Sequence, residues 1–131
     1  PSEDLKSLPT TSEGLATSEY FENLEIGWIP EGFSCVDSTF NHYAGFQNDA
    51  GLYFSIILSD ENSVVQIDTE NAESIEHLSI NGVDTMRVFK DGDINCVMMD
   101  TDNGIFIRVW TSLGISVETN EKIAQNIKFL K

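Results

Sequence analysis

At 131 residues the chain suits one domain built around one core, and a hydrophobic fraction of 40%, with 8 Phe, 3 Tyr and 2 Trp, can fill it. Asp and Glu total 22 against 7 Lys and Arg, so the formal net charge is −15. A field of that sign repels the phosphate backbone of nucleic acids and, nearly as strongly, an anionic membrane surface. The charge serves solubility, or else it complements a basic protein partner or a cationic ligand. The longest apolar runs, YFSIIL and CVMM, fall far short of the ~20 residues that a membrane-spanning helix needs.

In chain order, Pro1 to about Ser18 is rich in Ser, Thr, Glu and Pro and has little apolar periodicity, the composition of a tether. Residues 1–19 are therefore expected to form a flexible acidic stalk, and residues 20–131 a single domain. The first residue is not Met, and no signal peptide is visible, which suggests an anchor or signal upstream of Pro1.

The stretch LEIGWIPEGFSCVDS, Leu24 to Ser38, concentrates Trp, Pro, Gly and Phe ahead of an alternating run. Pro30 fixes φ and lacks an N–H, and Gly32 lets the chain turn, so the segment reads as a corner leading into a sheet. Trp28 and Phe33 would flank that corner and anchor it to the core. No catalytic residue type accompanies it, which argues against an active-site loop.

From Phe33 onward the period is two. HYAGFQ and LYFSIILS are joined by the turn residues Asn48–Gly51 and read as a hairpin. DENSVVQIDTENAES is polar and irregular, with a short strand expected at Val64–Ile67. Then SIEHLSI, VDTMRVFK, INCVMMD and IFIRVWTS follow one another, punctuated by Asn81-Gly82, Asp91-Gly92-Asp93, Asp102-Asn103-Gly104 and Leu113-Gly114. Asn-Gly accepts positive φ at both central positions of a type I′ turn, so this is an antiparallel meander. Val83, Thr85, Arg87 and Phe89 share one face, with Met86 and Val88 opposite. Ile105, Ile107, Val109 and Thr111 alternate with Phe106, Arg108 and Trp110. Apolar residues on both faces imply a sheet that is partly covered on each side, or curled.

SVETNEKIAQNIKFLK predicts a C-terminal helix. Ser116 is the N-cap, with Thr119 as its rival; Glu118 and Glu121 sit near the positive end of the helix dipole, Lys128 and Lys131 near the negative end. Ile123, Ala124, Ile127 and Leu130 form one helical stripe, which should pack on the sheet near Val109 and Met98. The expected class is thus α+β: a twisted antiparallel sheet, a meander of about six to seven strands, packed against a C-terminal α-helix.

Chemistry-bearing patterns are few. Cys35 and Cys96 lack a CxxC partner and metal-ligand spacing; they read as two small buried hydrophobes, with a single disulfide as the alternative. DGDIN, Asp91 to Asn95, imitates the start of a calcium loop, but Cys96 stands where Gly is required. Asp91 and Asp93 would also lie at the far end of a strand from Asp100 and Asp102, so each pair reads as a turn. The two histidines, His42 and His77, could form a dyad with Cys35 or Cys96, the one route to a cysteine-dependent hydrolase. No Gly-rich phosphate loop or G-x-S-x-G is present, and no cofactor is expected. Tyr43, Phe46, Tyr53 and Phe54 cluster around the first hairpin and are the candidate ligand or partner surface. Tyr53 and Phe54 alternate, so one can be exposed when the other is core.

The order of these pieces resembles the domain of unknown function 4367 family: WIPEGF at Trp28 to Phe33, the block DTENAESIEHLSINGVDTMRV with its Leu78–Val83 hairpin, the aromatic strand IFIRVWTS, and the closing ISVETNEKIAQNIKFL. The resemblance covers roughly residues 20–131. Met98, Met99 and Asp100 stand where the family often has Trp followed by Asp or Asn, and Ile115-Ser116 where it often has Leu-Ser. The resemblance implies a place outside the cytoplasmic membrane of Gram-positive bacteria, after one transmembrane helix or a lipoprotein signal, sometimes in anti-sigma-like proteins or sensors. It supplies no catalytic residues. The expected function is therefore a non-enzymatic sensor or binding module at the cell surface, with a protein, peptide or glycan as partner and contact with the membrane only through an upstream anchor. A small acidic intracellular protein that binds a basic partner, in the manner of an immunity protein, is the alternative.

Overall fold

The computed structural model describes residues 20–22, 24–60, 72–100 and 104–129. Period-two alternation becomes strands β1 (Leu24–Ile26), β2 (Ser34–Thr39), β3 (Tyr43–Gln47), β4 (Tyr53–Asp60), β5 (Ser74–Ile80), β6 (Val83–Lys90), β7 (Asp93–Asp100) and β8 (Ile105–Thr111). Helix α1 (Val117–Gln125) and strand β9 (Ile127–Phe129) follow. Seven strands make one antiparallel sheet in the order β2-β3-β4-β8-β7-β6-β5, and β9 pairs with β1 in a separate two-stranded ribbon. The α+β class is as the sequence indicates. The expected meander is in fact two, β2–β4 and β5–β8, joined where β8 pairs with β4 from Phe54↔Thr111 to Asp60↔Ile105. The strand expected at Val64–Ile67 lies outside the described residues.

The turns carry the chemistry that the sequence assigns to them. Asn81 and Asp91 take positive φ (53° and 55°), each followed by a glycine in the same region, as type I′ geometry requires. Asn48 organises the β3–β4 turn, its Oδ1 accepting the N–H groups of Ala50 (3.0 Å) and Leu52 (2.9 Å). β7 runs from the Asp91-Gly92 turn to Asp100; residues 101–103, where the next turn is expected, lie outside the described residues. At the WIPEGF corner Gly32 has φ +89° and the Phe33 N–H bonds Pro30 O at 3.3 Å. Trp28 and Phe33 are both packed against the core, Phe33 over Phe54 (ring centroids 5.2 Å) and Trp28 beneath the Lys122 ammonium (4.4 Å).

The core lies between one face of the sheet and α1. Ala44, Phe46, Phe54, Ile56, Cys96, Met98, Ile107 and Val109 point into it from the strands, and Ile123 and Ala124 from the helix. Phe46 and Phe54 stack at 4.8 Å, with Tyr20 edge-on to Phe46 at 5.7 Å. Ser116 is the N-cap: its Oγ accepts the Thr119 N–H at 3.2 Å, which excludes Thr119 as the cap.

The C-terminus requires a correction. The helical stripe stops at Ala124, because α1 ends at Gln125 and Ile127 belongs to β9. Asn126 caps the helix; its N–H meets the carbonyls of Lys122 and Ile123 (both 3.2 Å), and its Nδ2 donates to Lys122 O at 2.8 Å. Beyond it, Ile127-Lys128-Phe129 alternates and pairs with β1 in the register Ile127↔Ile26, Lys128↔Glu25, Phe129↔Leu24. The ribbon closes on Gly27, whose N–H reaches Asn126 O at 2.8 Å. A Cβ on Gly27 would stand 2.9 Å from that oxygen, so only glycine permits the approach. Ile127 is 2% exposed, as the stripe requires, but it reaches the core from a strand. Lys128 accordingly leaves the helix terminus and Lys122 serves the last turn; Leu130 and Lys131 lie outside the described residues.

Candidate functional site

With α1 on one face, the other face of the sheet carries the candidate site. Strand alternation and register give two rows across it. One is Thr39–Tyr43–Ile57–Arg108–Val97–Met86–His77; the other is Asp37–Gly45–Ser55–Trp110–Asn95–Val88–Ile75. At the β2–β4 end these rows line an open depression of about 610 Å³, bounded by Asp37, His42, Tyr43, Tyr53, Ser55, Ile57, Leu58 and Ser59.

Of the four aromatic residues marked in the sequence, the depression takes two. Tyr43 and Tyr53 line it, whereas Phe46 (1% exposed) and Phe54 (0%) are core residues and cannot form a ligand surface. The alternation of Tyr53 with Phe54 is the reason: one face is spent on the core and the other is left open. The Tyr43 hydroxyl donates to Asp37 Oδ2 at 3.1 Å. That bond to Asp37 raises the Tyr43 pKa; burial, then the nearby Asp37 charge, raises that of Tyr53. Both phenols therefore stay protonated as donors. Beside the depression the Tyr53 hydroxyl and the Asp37 carboxylate lie directly over Gly45, where a Cβ would collide with both. The Tyr53 ring leans toward Trp110 (centroids 6.0 Å, 57° between planes), which extends the aromatic wall onto β8.

Sequence reasoning passed over Asp37, Trp110 and Arg108 as site residues. Arg108 could have been found by its sign: a cation between Ile107 and Val109 in a strand whose face-mates are aromatic. Its guanidinium is half-buried, with its pKa lowered by that burial, and its Nε is buried without an acceptor. Asn95 Oδ1, on the same face, is buried without a donor.

The cysteine chemistry is constrained by the two faces. Both thiols are free. Cys96 lies on the core face at 0% exposure, opposite the face that carries His77, so those two cannot act as a dyad. Cys35 is half-buried against the core, its Sγ 3.4 Å from Asp37 O, while His42 lines the depression. Burial pushes the Cys96 thiol up to about 11. Folding thus favours the neutral thiol, and the associated stability is present below the free-thiol value and lost as pH rises toward 11. Wild type should lose about 2 kcal/mol more than Cys96→Ala between pH 9 and pH 11 in urea titrations. A maleimide reagent should label Cys35 and spare Cys96 in the native protein; rapid labelling of Cys96 would contradict its burial.

The acidic turn residues have structural uses. Asp93 Oδ1 accepts the Leu113 N–H at 3.0 Å, and Asp91 supplies positive φ. No group of three or more potential metal ligands occurs among the described residues. Arg87, which unlike Arg108 is buried, bridges Glu76 (2.9 Å) and Glu121 (2.9 Å), tying β5 and β6 to α1. Burial pulls its pKa down, but the bonds to Glu121 and Glu76 outweigh it and leave it raised.

Fold and site together define a small α+β domain with one sheet face committed to the core and the other presenting an aromatic and polar depression. The chain belongs to the family described as Domain of unknown function (DUF4367), whose model matches residues 23–127. No curated protein matches it. A crystal structure of a protein from Bacteroides thetaiotaomicron VPI-5482 is similar at 14% identity and a TM-score of 0.47, over 83% of this chain and 48% of that one. The chain thus spans about half the length of that protein.

Proposed function

We propose that this domain is a non-enzymatic sensing or binding module that works outside the cytoplasmic membrane, tethered to the cell surface, and takes its ligand on the outer face of the sheet. The observation that carries the reading is the depression on the outer face of β3 and β4: Tyr43, Tyr53 and Asp37 line it, and none of the three belongs to the buried core. Exposed aromatic rings beside fixed polar groups are the usual means of holding a peptide or a sugar. The family resemblance supports the extracytoplasmic setting, and with it a link to anti-sigma-type signalling.

The test is a ¹H–¹⁵N titration of the full chain with libraries of short peptides and oligosaccharides. Shifts should concentrate on Tyr43, Gly45, Tyr53, Ser55 and Trp110. Gly45→Ala should weaken binding about tenfold or more, because the added methyl displaces the Tyr53 ring and the Asp37 carboxylate, both of which line the depression, and urea denaturation should show the variant still unfolding cooperatively. Shifts confined to α1, or a salt-sensitive complex with a basic protein that ignores Gly45→Ala, would favour an acidic partner-neutralising protein instead. Recovery of the full-length protein in the cytosolic fraction of its host would remove the surface assignment.

A further inference from the structure

We propose that Arg108, with Asn95 and Trp110, is the recognition point for the free C-terminal carboxylate of a short peptide. This rests on the reading of the outer face as a binding surface and names the chemistry that the surface selects.

Two unfilled hydrogen-bonding groups carry the argument. Arg108 has no carboxylate partner among the described residues, and its Nε is buried without an acceptor. The chain has 22 acidic residues with which to neutralise an arginine, and Arg87 receives two of them. A half-buried guanidinium left unpaired weakens the fold unless something outside the fold completes it. Asn95 Oδ1 is a buried acceptor that lacks a donor. The two groups are neighbours: Val97 pairs with Arg108 and Asn95 with Trp110 in consecutive same-face positions of β7 and β8. The site therefore asks for an anion with an N–H beside it.

A peptide C-terminus has that composition. Its carboxylate matches the guanidinium fork, and the amide N–H of the terminal residue can reach Asn95 Oδ1, closed to solvent in the free domain, once the side chains over it part. Ile57 pairs with Arg108 and Ser55 with Trp110, and both also line the depression. The terminal side chain can thus lie along Trp110 and Tyr53, and the preceding residues along Tyr43 and Ile57 in the depression. The net charge of −15 opposes polyanions, so the ligand should present one carboxylate rather than many.

The experiment titrates the full chain with N-acetylated dipeptides ending in each of the twenty residues, every one prepared both as the free acid and as the C-terminal amide, with methyl glucuronide as a non-peptide carboxylate. The readouts are the Trp110 indole N–H and Arg108 Nε–H resonances. At least one acid should shift both, with its amide at least about tenfold weaker. Arg108→Met should abolish the difference between acid and amide while raising Tm by about 4 °C or more, since it replaces an unpaired charge by an apolar side chain of similar length. Arg108→Lys, which keeps the charge and loses the fork, should fall between the two. Acids and amides that bind alike at Tyr43 and Tyr53 would overturn the role of Arg108 and leave the binding-module reading standing. Shifts from the glucuronide alone would overturn the peptide assignment. Silence of the whole face toward every peptide and oligosaccharide would remove both readings.

Discussion

Phe54→Ala should cost about 3–5 kcal/mol of unfolding free energy, a large share of the ~5–15 kcal/mol typical of a domain. Phe54 is 0% exposed on β4, which is paired on both sides, with β3 and β8. Its ring stacks on Phe46 and meets Phe33 from the WIPEGF corner. Truncation therefore leaves a cavity between sheet and corner that neither neighbour can fill without leaving its rotamer. Urea denaturation checks the value, with Phe40→Ala as the control: Phe40 is 57% exposed, and its loss should change stability by no more than about 0.5 kcal/mol. A Phe54→Ala loss below about 1 kcal/mol, or one equal to that of the control, would show that the stacked pair is not the centre of the core. The same variant separates fold from binding. A protein weakened in stability but unchanged in its outer-face titrations would confirm that Phe54 serves only the interior.

Much of this architecture was legible because the signals are local. Asn81-Gly82 and Asp91-Gly92 specify their turns through φ alone, and period two specifies the strands whatever lies beside them. Ser116 announces the helix start by its own hydroxyl. What was hidden depends on partners distant in sequence. The end of the helix was misjudged because Ile127 fits a helical stripe and a strand equally well; what decides is the free edge of β1, about a hundred residues earlier, and the close approach that Gly27 allows. The pairing of β8 with β4 likewise has no signature in either strand. Asn120 escaped notice for a similar reason. It is a polar residue on the apolar side of α1, buried at 0%, and only the fold shows its Nδ2 donating to Thr111 Oγ1 (3.0 Å) and Val109 O (3.2 Å). The site was half legible. Alternation separated Tyr53 from Phe54 but gave no sign that Asp37 would meet Tyr43 across a hairpin, or that Arg108 would go unpaired beside Trp110.

Deleting residues from Val117 onward should abolish cooperative folding, leaving an insoluble or molten product. The deletion removes Ile123, Ala124 and Asn120, all 0% exposed, and Ile127 at 2%. It thereby uncovers Cys96, Met98, Ile107 and Val109, the centre of the sheet's inner face. At roughly 1.5–3 kcal/mol for each large apolar side chain returned to water, the loss matches or exceeds the stability expected of the whole domain. The second ribbon fails as well, because β1 pairs only with β9 among the described strands. A milder truncation after Gln125 keeps the helix and removes the strand. It should preserve a cooperative transition at a lower midpoint, since Ile123, Ala124 and Asn120 still cover the sheet. Near-UV circular dichroism, dye binding to exposed apolar surface and the width of the thermal transition distinguish the two products. If the longer deletion still unfolds cooperatively near the wild-type temperature, the helix is peripheral and the core must be closed by another part of the chain. If both truncations collapse alike, β9 rather than α1 is the element that holds the inner face shut.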